Sequence, residues 1–417
     1  MAEQFEVAII GGGLCGLSLA IALTKRGVSY KIYESRASFR EIGAGLNLGP
    51  NTLQAFSLID SSLGDAVSAL VTRNPPRKED VFLQLRLGAP TKHHSDAHLI
   101  TELKGGSMTA HRNDLLQALA ERAGFEHAVF NKRFESLEQT PNGVTITFSD
   151  GTSAHASVAI ACDGIHSDVR RFLLGADHPA SNPHFSHTGG YRAMFPYPVL
   201  EAALGNEIAR HSQMFVGPGG YVVMYPVQGE KMNIGLWPYK AEPWTHKEWI
   251  LPSQREAMFE DMKDWGGTVH KIMGLIEDPT FWANFYFDIQ PDSFAFGRVC
   301  LLGDAAHAMP PHQGSGAGQA IEDAYVMAEV LRKVNDSGCA ASSEVDKAFA
   351  AYESVRRPRT DEVVRTSVEI HDWWGKVHRE DLTEADLVEY AVATQERFRW
   401  IWEEDLASSA RKALAAF

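Results

Sequence analysis

The sequence predicts an α/β fold in which one domain is assembled from separate βαβ pieces, a second is a mostly antiparallel β-sheet, and the chain ends in helices. Three observations predict it. A glycine-rich strand–turn–helix unit opens the chain, a second strand–loop–helix unit stands at Arg298–Ala324, and the stretch from about 180 to 289 alternates short strands with turns. A chain of 417 residues exceeds one ordinary core, so two domains sharing an interface are expected. The expected division places 1–75, 111–179 and 290–345 in the first domain, 76–110 and 180–289 in the second, and 346–417 in C-terminal helices.

The first unit reads as strand, turn, helix, strand. Phe5–Ile10 is an apolar run, Gly11, Gly13 and Gly16 stand in G-x-G-x-x-G spacing, and Leu14–Arg26 has helical composition that Gly27 ends. Tyr30–Tyr33 restarts a strand, and Glu34 follows Gly16 by eighteen residues. This is a Rossmann-like arrangement: the glycines admit a diphosphate to the helix N-terminus, and an acid at that position accepts hydrogen bonds from ribose hydroxyls. The segment EIGAGLNLGPN follows, where Gly43, Gly45 and Gly49 leave room for backbone to approach a ligand.

Residues 76–110 read as less regular and include the polar stretch Thr91–His98. His111–Gly124 is an amphipathic helix with Leu115, Leu116 and Leu119 as its stripe. Arg112 at its start is either a solvated charge or a group that reaches the cofactor. Val144–Phe148, a Ser-Asp-Gly turn and Ser153–Ala161 read as a hairpin running into CDGIHSDVR, where Asp163 ends a strand and Ser167–Arg171 begins a helix. In the middle region, turns are expected at Gly217–Gly220 and Gln228–Lys231. Val299–Leu302 is fit for a buried strand that delivers Asp304 through Gly303. Pro310 and Pro311 stiffen the next loop, and Gly314, Gly316 and Gly318 leave backbone N–H groups uncovered before a helix from Ala317 to Val334. Such a segment suits a diphosphate or the electron-rich edge of an isoalloxazine, so FAD is the expected cofactor. Helices from about Val345 to Phe417 close the chain.

Composition narrows the partners. With 44% hydrophobic and 22% charged residues the chain is ordinary for a globular protein. A net charge of −14 argues against nucleic acid, so an anionic ligand must be held by local arginines and helix termini. No apolar run is long enough to span a bilayer, and Val7–Leu23 is interrupted by glycines behind an acidic flank. Cys15, Cys162, Cys300 and Cys339 are far apart in sequence, which suggests neither a disulfide framework nor a metal site. A cytoplasmic monomer or homodimer is expected.

Three of these segments together, GGGLCG with Glu34, CDGIHSDVR, and LLGDAAHAMPPHQGSGAGQAIEDA, resemble the FAD signatures of single-component flavoprotein aromatic hydroxylases, which share the para-hydroxybenzoate hydroxylase fold. Within that group EIGAGLNLGPN, HRNDL, PHQGSGAGQ and RFRWIWEEDL are similar to salicylate hydroxylases and to fungal relatives that include phenol-dearomatising monooxygenases. The resemblance implies that Gly11, Gly13 and Gly16 line the diphosphate and that Glu34 binds the adenosine ribose. It further implies that Arg112 meets the flavin side, Asp163 bridges FAD and a transient nicotinamide nucleotide, and Asp304 binds the ribityl chain. Gly316 and Ala317 would offer N–H groups to the flavin pyrimidine edge, with Pro311 and His312 facing the ring to be oxidised.

The activity so implied is hydroxylation of a phenolic substrate with dioxygen and NADH or NADPH, through a flavin hydroperoxide. A cation or base that stabilises phenolate is then expected on the sheet. Arg192 in GGYRAMF pairs with a carboxylate or phenolate through its planar fork, or else makes a surface ion pair. Tyr225 in VVMYPV exchanges a hydrogen bond with a phenol, or is simply a half-buried aromatic. His312 is a third candidate, more often a structural residue in such a loop. The aromatic clusters Trp373–Trp374 and Phe398–Trp402 are expected in core packing or a subunit contact. A salicylate-type hydroxylase leads, followed by an enzyme acting on a larger polyketide-like phenol. An FAD-binding redox sensor or reductase without oxygenase activity is the alternative from another class.

Overall fold

Val7 to Ile10 are buried without interruption, as a strand covered on both faces must be. In the computed structural model, which describes residues 5–40, 45–338 and 341–417, Glu6–Ile10 lies inside a six-stranded sheet. Its strand order is Ala295–Phe296, Val299–Leu301, Val158–Ala161, Glu6–Ile10, Ser29–Tyr33, Ala128–Val129. All pairs are parallel except the first. The chain moves outward from Glu6–Ile10 in one direction and then returns to its other side, so the order reverses between Glu6–Ile10 and Val158–Ala161. Ligands of open α/β sheets collect beyond the strand ends at such a reversal. Gly11, Cys162 and Asp163 stand there, with Gly303 and Asp304 one strand away. Gly43 and Cys339 lie outside the described residues.

The second sheet has eight strands, ordered Ile250–Leu251, Thr280–Tyr286, His184–Pro196, Lys231–Pro238, Gly220–Val227, Gln213–Gly217, Val81–Leu87, Leu99–Lys104. It is antiparallel apart from the pairing of Gln213–Gly217 with Val81–Leu87. Its last two members correct the expectation of irregularity at 76–110; the polar stretch Thr91–His98 falls in the loop that joins them. Polar residues in the run VFLQLRL conceal the strand. Gln84 and Arg86 are both buried, and Arg86 donates to Gln84 (3.2 Å) and Gln213 (2.9 Å), so a mixed sequence is satisfied internally.

A second correction concerns Ser153–Ala161, which is two strands rather than one arm of a hairpin. Ser153–Ala156 pairs antiparallel with Gly143–Phe148, whereas Val158–Ala161 joins the parallel sheet. Ser157 makes the change of sheet: its N–H donates to Glu6 O (2.9 Å) and its hydroxyl accepts from Glu6 N–H (3.1 Å).

Three helices, Ser342–Gly375, Glu384–Trp402 and Leu406–Ala416, end the chain. Trp374 is fully buried, Trp373 stacks on Tyr390 at 5.2 Å, and Phe398 lies against Phe82 and Trp402. The aromatic clusters therefore pack the C-terminal helices onto the second sheet. No helix among the described residues is long and apolar enough to cross a membrane.

Candidate active site

Each glycine of the first turn meets a different steric demand. Gly11 has φ +103°, and a side chain there would strike Cys162 O at 2.4 Å. A Cβ on Gly16 would lie 2.1 Å from Gly11 O, so the helix Leu14–Lys25 can approach the strand only without it. Gly13 has nothing within 4 Å of an added Cβ and faces open space. That open face fits a diphosphate at the helix N-terminus. Glu34 braces the same loop: its Oε2 accepts Gly12 N–H (2.8 Å), and its Oε1 accepts Arg36 N–H (2.8 Å). Gly16→Ala is therefore expected to force a backbone shift costing about 1–3 kcal/mol, and to weaken FAD binding by about 5- to 150-fold. Flavin fluorescence titration of the refolded apoprotein measures it; undiminished affinity would refute the assignment.

These elements open onto one cavity of about 840 Å³, which runs from Glu34 and the glycine turn to the second sheet. Every site residue predicted from the sequence except Gly16 lines it: Gly11, Gly13, Glu34, Gly45, Arg112, Asp163, Arg192, Tyr225, Asp304, Pro311, His312, Gly316 and Ala317. Arg36, Arg40, Lys132 and Arg133 border the Glu34 end, a local cationic surface on an acidic chain.

Asp163 is engaged by its own turn. Its carboxylate accepts the Ser167 hydroxyl (2.6 Å) and Val169 N–H (3.1 Å), which ties it to the start of helix Asp168–Leu174. Burial pushes its carboxyl up to about 6, against the opposing effect of these hydrogen bonds. Asp304 begins the short helix Asp304–His307, after Gly303 at φ +57°. The helix Gly316–Asp336 starts beside it, two residues after the left-handed Gly314. A Cβ on Gly316 would meet only Met309 Cγ (3.8 Å) and Asp304 Oδ1 (3.9 Å), so this residue leaves open space where it lines the cavity.

A buried charge network fixes this corner. Asp323 accepts Gly303 N–H (3.1 Å), approaches His307 Nε2 at 2.6 Å, and accepts Arg356 Nε (2.7 Å). Glu322 binds Arg356, Arg359 and Asn51 Nδ2, the last at 2.7 Å. All six of Glu322, Asp323, Arg356, Arg359, His307 and Asn51 are buried. Burial alone would raise the Asp323 carboxyl; the charges of His307 and Arg356 outweigh it and hold the group well below its ordinary value.

The other end of the cavity is aromatic, and strand parity builds it. Tyr221, Val223 and Tyr225 alternate along one strand, directly opposite Trp237, Gly235 and Asn233 of the next. All six face the cavity, while Val222, Met224, Ile234 and Leu236 point into the core behind. Arg192 pairs across Gly235, where an added Cβ would strike Trp237 Nε1 at 2.5 Å, so the missing side chain makes room for that indole. The guanidinium lies 5.2 Å from the Trp237 ring centre and 5.3 Å from that of Trp282. Its Nε–H is buried without a hydrogen-bond partner, and burial pushes its pKa below the ordinary value. Tyr225 donates its hydroxyl to Gly45 O (2.9 Å), and burial pushes it up to about 12, with Arg192 opposing.

His312 is placed differently from a free base. It is 3% exposed, with Nε2 3.1 Å from Thr188 Oγ1 and Nδ1 2.9 Å from the Tyr221 hydroxyl. Burial pushes its pKa well below the ordinary value, so it is a neutral ring with both nitrogens engaged. Sequence reasoning missed Tyr221, Asn233, Trp237, Trp282 and Phe398, all of which border the cavity. Stepping by two from Tyr225 along its strand would have found Tyr221.

Known proteins share this architecture and sequence. A family described as FAD binding domain matches residues 4–367. The chain is 36% identical over 423 residues to 6-methylsalicylate 1-monooxygenase of Aspergillus terreus, covering 100% of this chain and 93% of that protein. It is 35% identical over 433 residues to salicylate hydroxylase of Pseudomonas putida, covering 98% and 94%. Among solved structures, a salicylate hydroxylase substrate complex superposes with a TM-score of 0.85 at 31% identity, covering 98% of both chains.

Proposed function

Given that the chain belongs to the FAD binding domain family and is an FAD-dependent aromatic monooxygenase, we propose that it converts a small ortho-hydroxybenzoate to a catechol. The observation that carries this reading is Arg192, a buried cation that lines the cavity beside two indoles and keeps one N–H without a partner. Leaving such a group unpaired is costly, and an anionic ring substrate relieves the cost. In the overall reaction the benzoate, dioxygen, NADH or NADPH and two protons give the catechol, carbon dioxide, water and the oxidised nucleotide. FAD, when bound, supplies the hydride acceptance and dioxygen activation.

The protein's own residues supply position and charge. Gly11, Gly13 and Gly16 would shape the diphosphate site, Glu34 would hold the adenosine ribose, and Asp304 the ribityl chain. Gly316 and Ala317 would present N–H groups to the flavin edge, with Gly45, Arg112 and Pro311 along its flanks. Asp163, locked to its helix, would shape the turn next to the nicotinamide nucleotide's approach. Arg192 would pair with phenolate or carboxylate; an opposite charge at such range lowers a phenol's pKa and so raises the ring's nucleophilicity. Tyr225 has its proton committed to Gly45 O and Asn233 beside its oxygen, so toward a substrate hydroxyl it would act only through its second lone pair, as an acceptor. Neutral His312 would hold Tyr221 and Thr188 in place rather than take a proton. Trp237, Trp282, Phe398 and Met309 line the cavity and would help a bound ring displace water. Residues 76–110 and 180–289 would then form the substrate-binding domain.

The similarity to 6-methylsalicylate and salicylate hydroxylating relatives favours a single-ring substrate over a larger phenol. A redox sensor is disfavoured too, because it has no use for a cavity-lining arginine with an unpartnered N–H. Stopped-flow flavin reduction and product analysis with salicylate, 6-methylsalicylate and bulkier phenols test the reading. Faster flavin reduction and catechol formation with a small ortho-hydroxybenzoate are expected. Reduction that no phenolic acid accelerates, or NADH consumed only to hydrogen peroxide, would refute it.

A further inference from the structure

Away from the cavity, two imidazoles and a carboxylate from distant parts of the chain converge. His94 and His98 lie in the loop between strands Val81–Leu87 and Leu99–Lys104, and Glu384 opens helix Glu384–Trp402. One donor atom from each falls within 4.8 Å of the others, and among the described residues this is the one such trio. His94 Nε2 stands 3.3 Å from Glu384 Oε2, and the two imidazole centres are 4.7 Å apart. The His94 side chain is only 7% exposed, whereas Glu384 is exposed and free to turn.

Surrounding contacts hold the loop in shape. Thr91 Oγ1 accepts His93 and His94 N–H groups (3.3 and 3.1 Å) and lies 3.2 Å from His94 Nδ1, leaving Nε2 directed at Glu384. Asp96 accepts Thr268 N–H (2.6 Å), which anchors the loop to helix Gly267–Leu275. Lys92 N–H donates to Glu380 O (3.2 Å), a second link to the C-terminal region.

We propose that His94, His98 and Glu384 form a binding site for a divalent transition-metal ion of the zinc class, stapling the substrate-sheet hairpin to the C-terminal helix. Two imidazoles and one carboxylate are the donor set of zinc sites, and nitrogen donors disfavour magnesium and calcium. Ligands at zinc bond lengths sit about 3.4 Å apart in a tetrahedron, the spacing that His94 and Glu384 already have. Small side-chain rotations would bring all three donors, no more than 4.8 Å apart, to that spacing, and water completes the coordination. Phe398, on the same helix, borders the cavity, so the ion would stiffen one wall of the aromatic end without touching the reacting groups.

The test uses untagged, FAD-loaded full-length protein, stripped with a chelator and titrated calorimetrically with ZnCl₂ and, separately, MgCl₂. One zinc ion per chain is expected, with a zinc-dependent rise in the thermal unfolding midpoint and no saturable magnesium uptake. His98→Ala and Glu384→Gln should each weaken zinc binding about tenfold or more and abolish the midpoint shift. His93→Ala, next to the site, should bind as the wild type does. Flavin content and circular dichroism verify that each variant is folded; the near-isosteric Glu384→Gln alters only an exposed group. The proposal is overturned if the wild type takes up no stoichiometric zinc, if either site variant binds it unchanged, or if magnesium competes equally.

Discussion

Arg192→Leu should lower kcat/KM for the phenolic substrate by about 30- to several-thousandfold, equivalent to about 2–5 kcal/mol for removing one member of a buried charge pair. Flavin content should not change, because Arg192 faces the aromatic end of the cavity. Arg192→Lys should lie between the two, since it keeps the charge and loses the planar fork. The ligand-free Arg192→Leu protein should also be more stable than the wild type, by about 0.5–2 kcal/mol. This opposite sign follows from the unpaired Nε–H, and it separates a binding role from a structural one: a structural arginine would destabilise on removal. Oxygen-uptake kinetics and thermal unfolding measure both quantities. Wild-type kcat/KM in Arg192→Leu would eliminate Arg192 as the substrate's partner.

Asp323→Asn should cost about 3–5 kcal/mol of stability, the penalty for stripping one anion from a buried pair and leaving its cation under-compensated. Arg356 is that cation, and fully buried it has no water to turn to. The turn carrying Asp304 should loosen as well, because Asp323 holds Gly303 N–H and the His307 ring at its two ends. Weaker FAD retention is therefore expected together with a lower unfolding midpoint. The pH dependence has a definite sign. The folded Asp323 carboxyl titrates below its unfolded value, so its contribution is fully present above about pH 4 and is lost as pH falls through the folded value. The difference in stability between wild type and Asp323→Asn should shrink in acid. A difference that persists unchanged to pH 2 would show that the charge is not what matters.

What could be seen in the sequence was what local backbone rules govern. Gly11 and Gly16 are legible because backbone geometry and close packing admit no other residue there, Gly13 because its spacing completes the motif, and Glu34 because strand length fixes its distance from them. Arg192 and Tyr225 were legible as residue types suited to a phenolate on a strand. Their setting was not. Trp237 and Asn233 join the site through a register between two strands, and Trp282 through another, which no local pattern announces. His312 shows the same limit: its loop was legible, but its hydrogen-bond partners Thr188 and Tyr221 lie 124 and 91 residues away. The strand Val81–Leu87 was hidden because Gln84 and Arg86 satisfy each other only once Gln213 arrives.

The two sheets also set the order in which the chain can be finished during synthesis. The first strand, Glu6–Ile10, receives Val158–Ala161 only after some 150 residues, and Val299–Leu301 then closes that side of the sheet. Between those events the ribosome delivers most of the other sheet, whose strands Val81–Leu87 and Gln213–Gly217 must themselves wait for one another. The second sheet is fully synthesised by Tyr286 while the first still awaits Val299–Leu301, and contacts of such long sequence separation fold slowly. Truncation before about residue 300 should leave no folded dinucleotide-binding half to be salvaged, only a nascent chain with open strand edges for chaperones to guard.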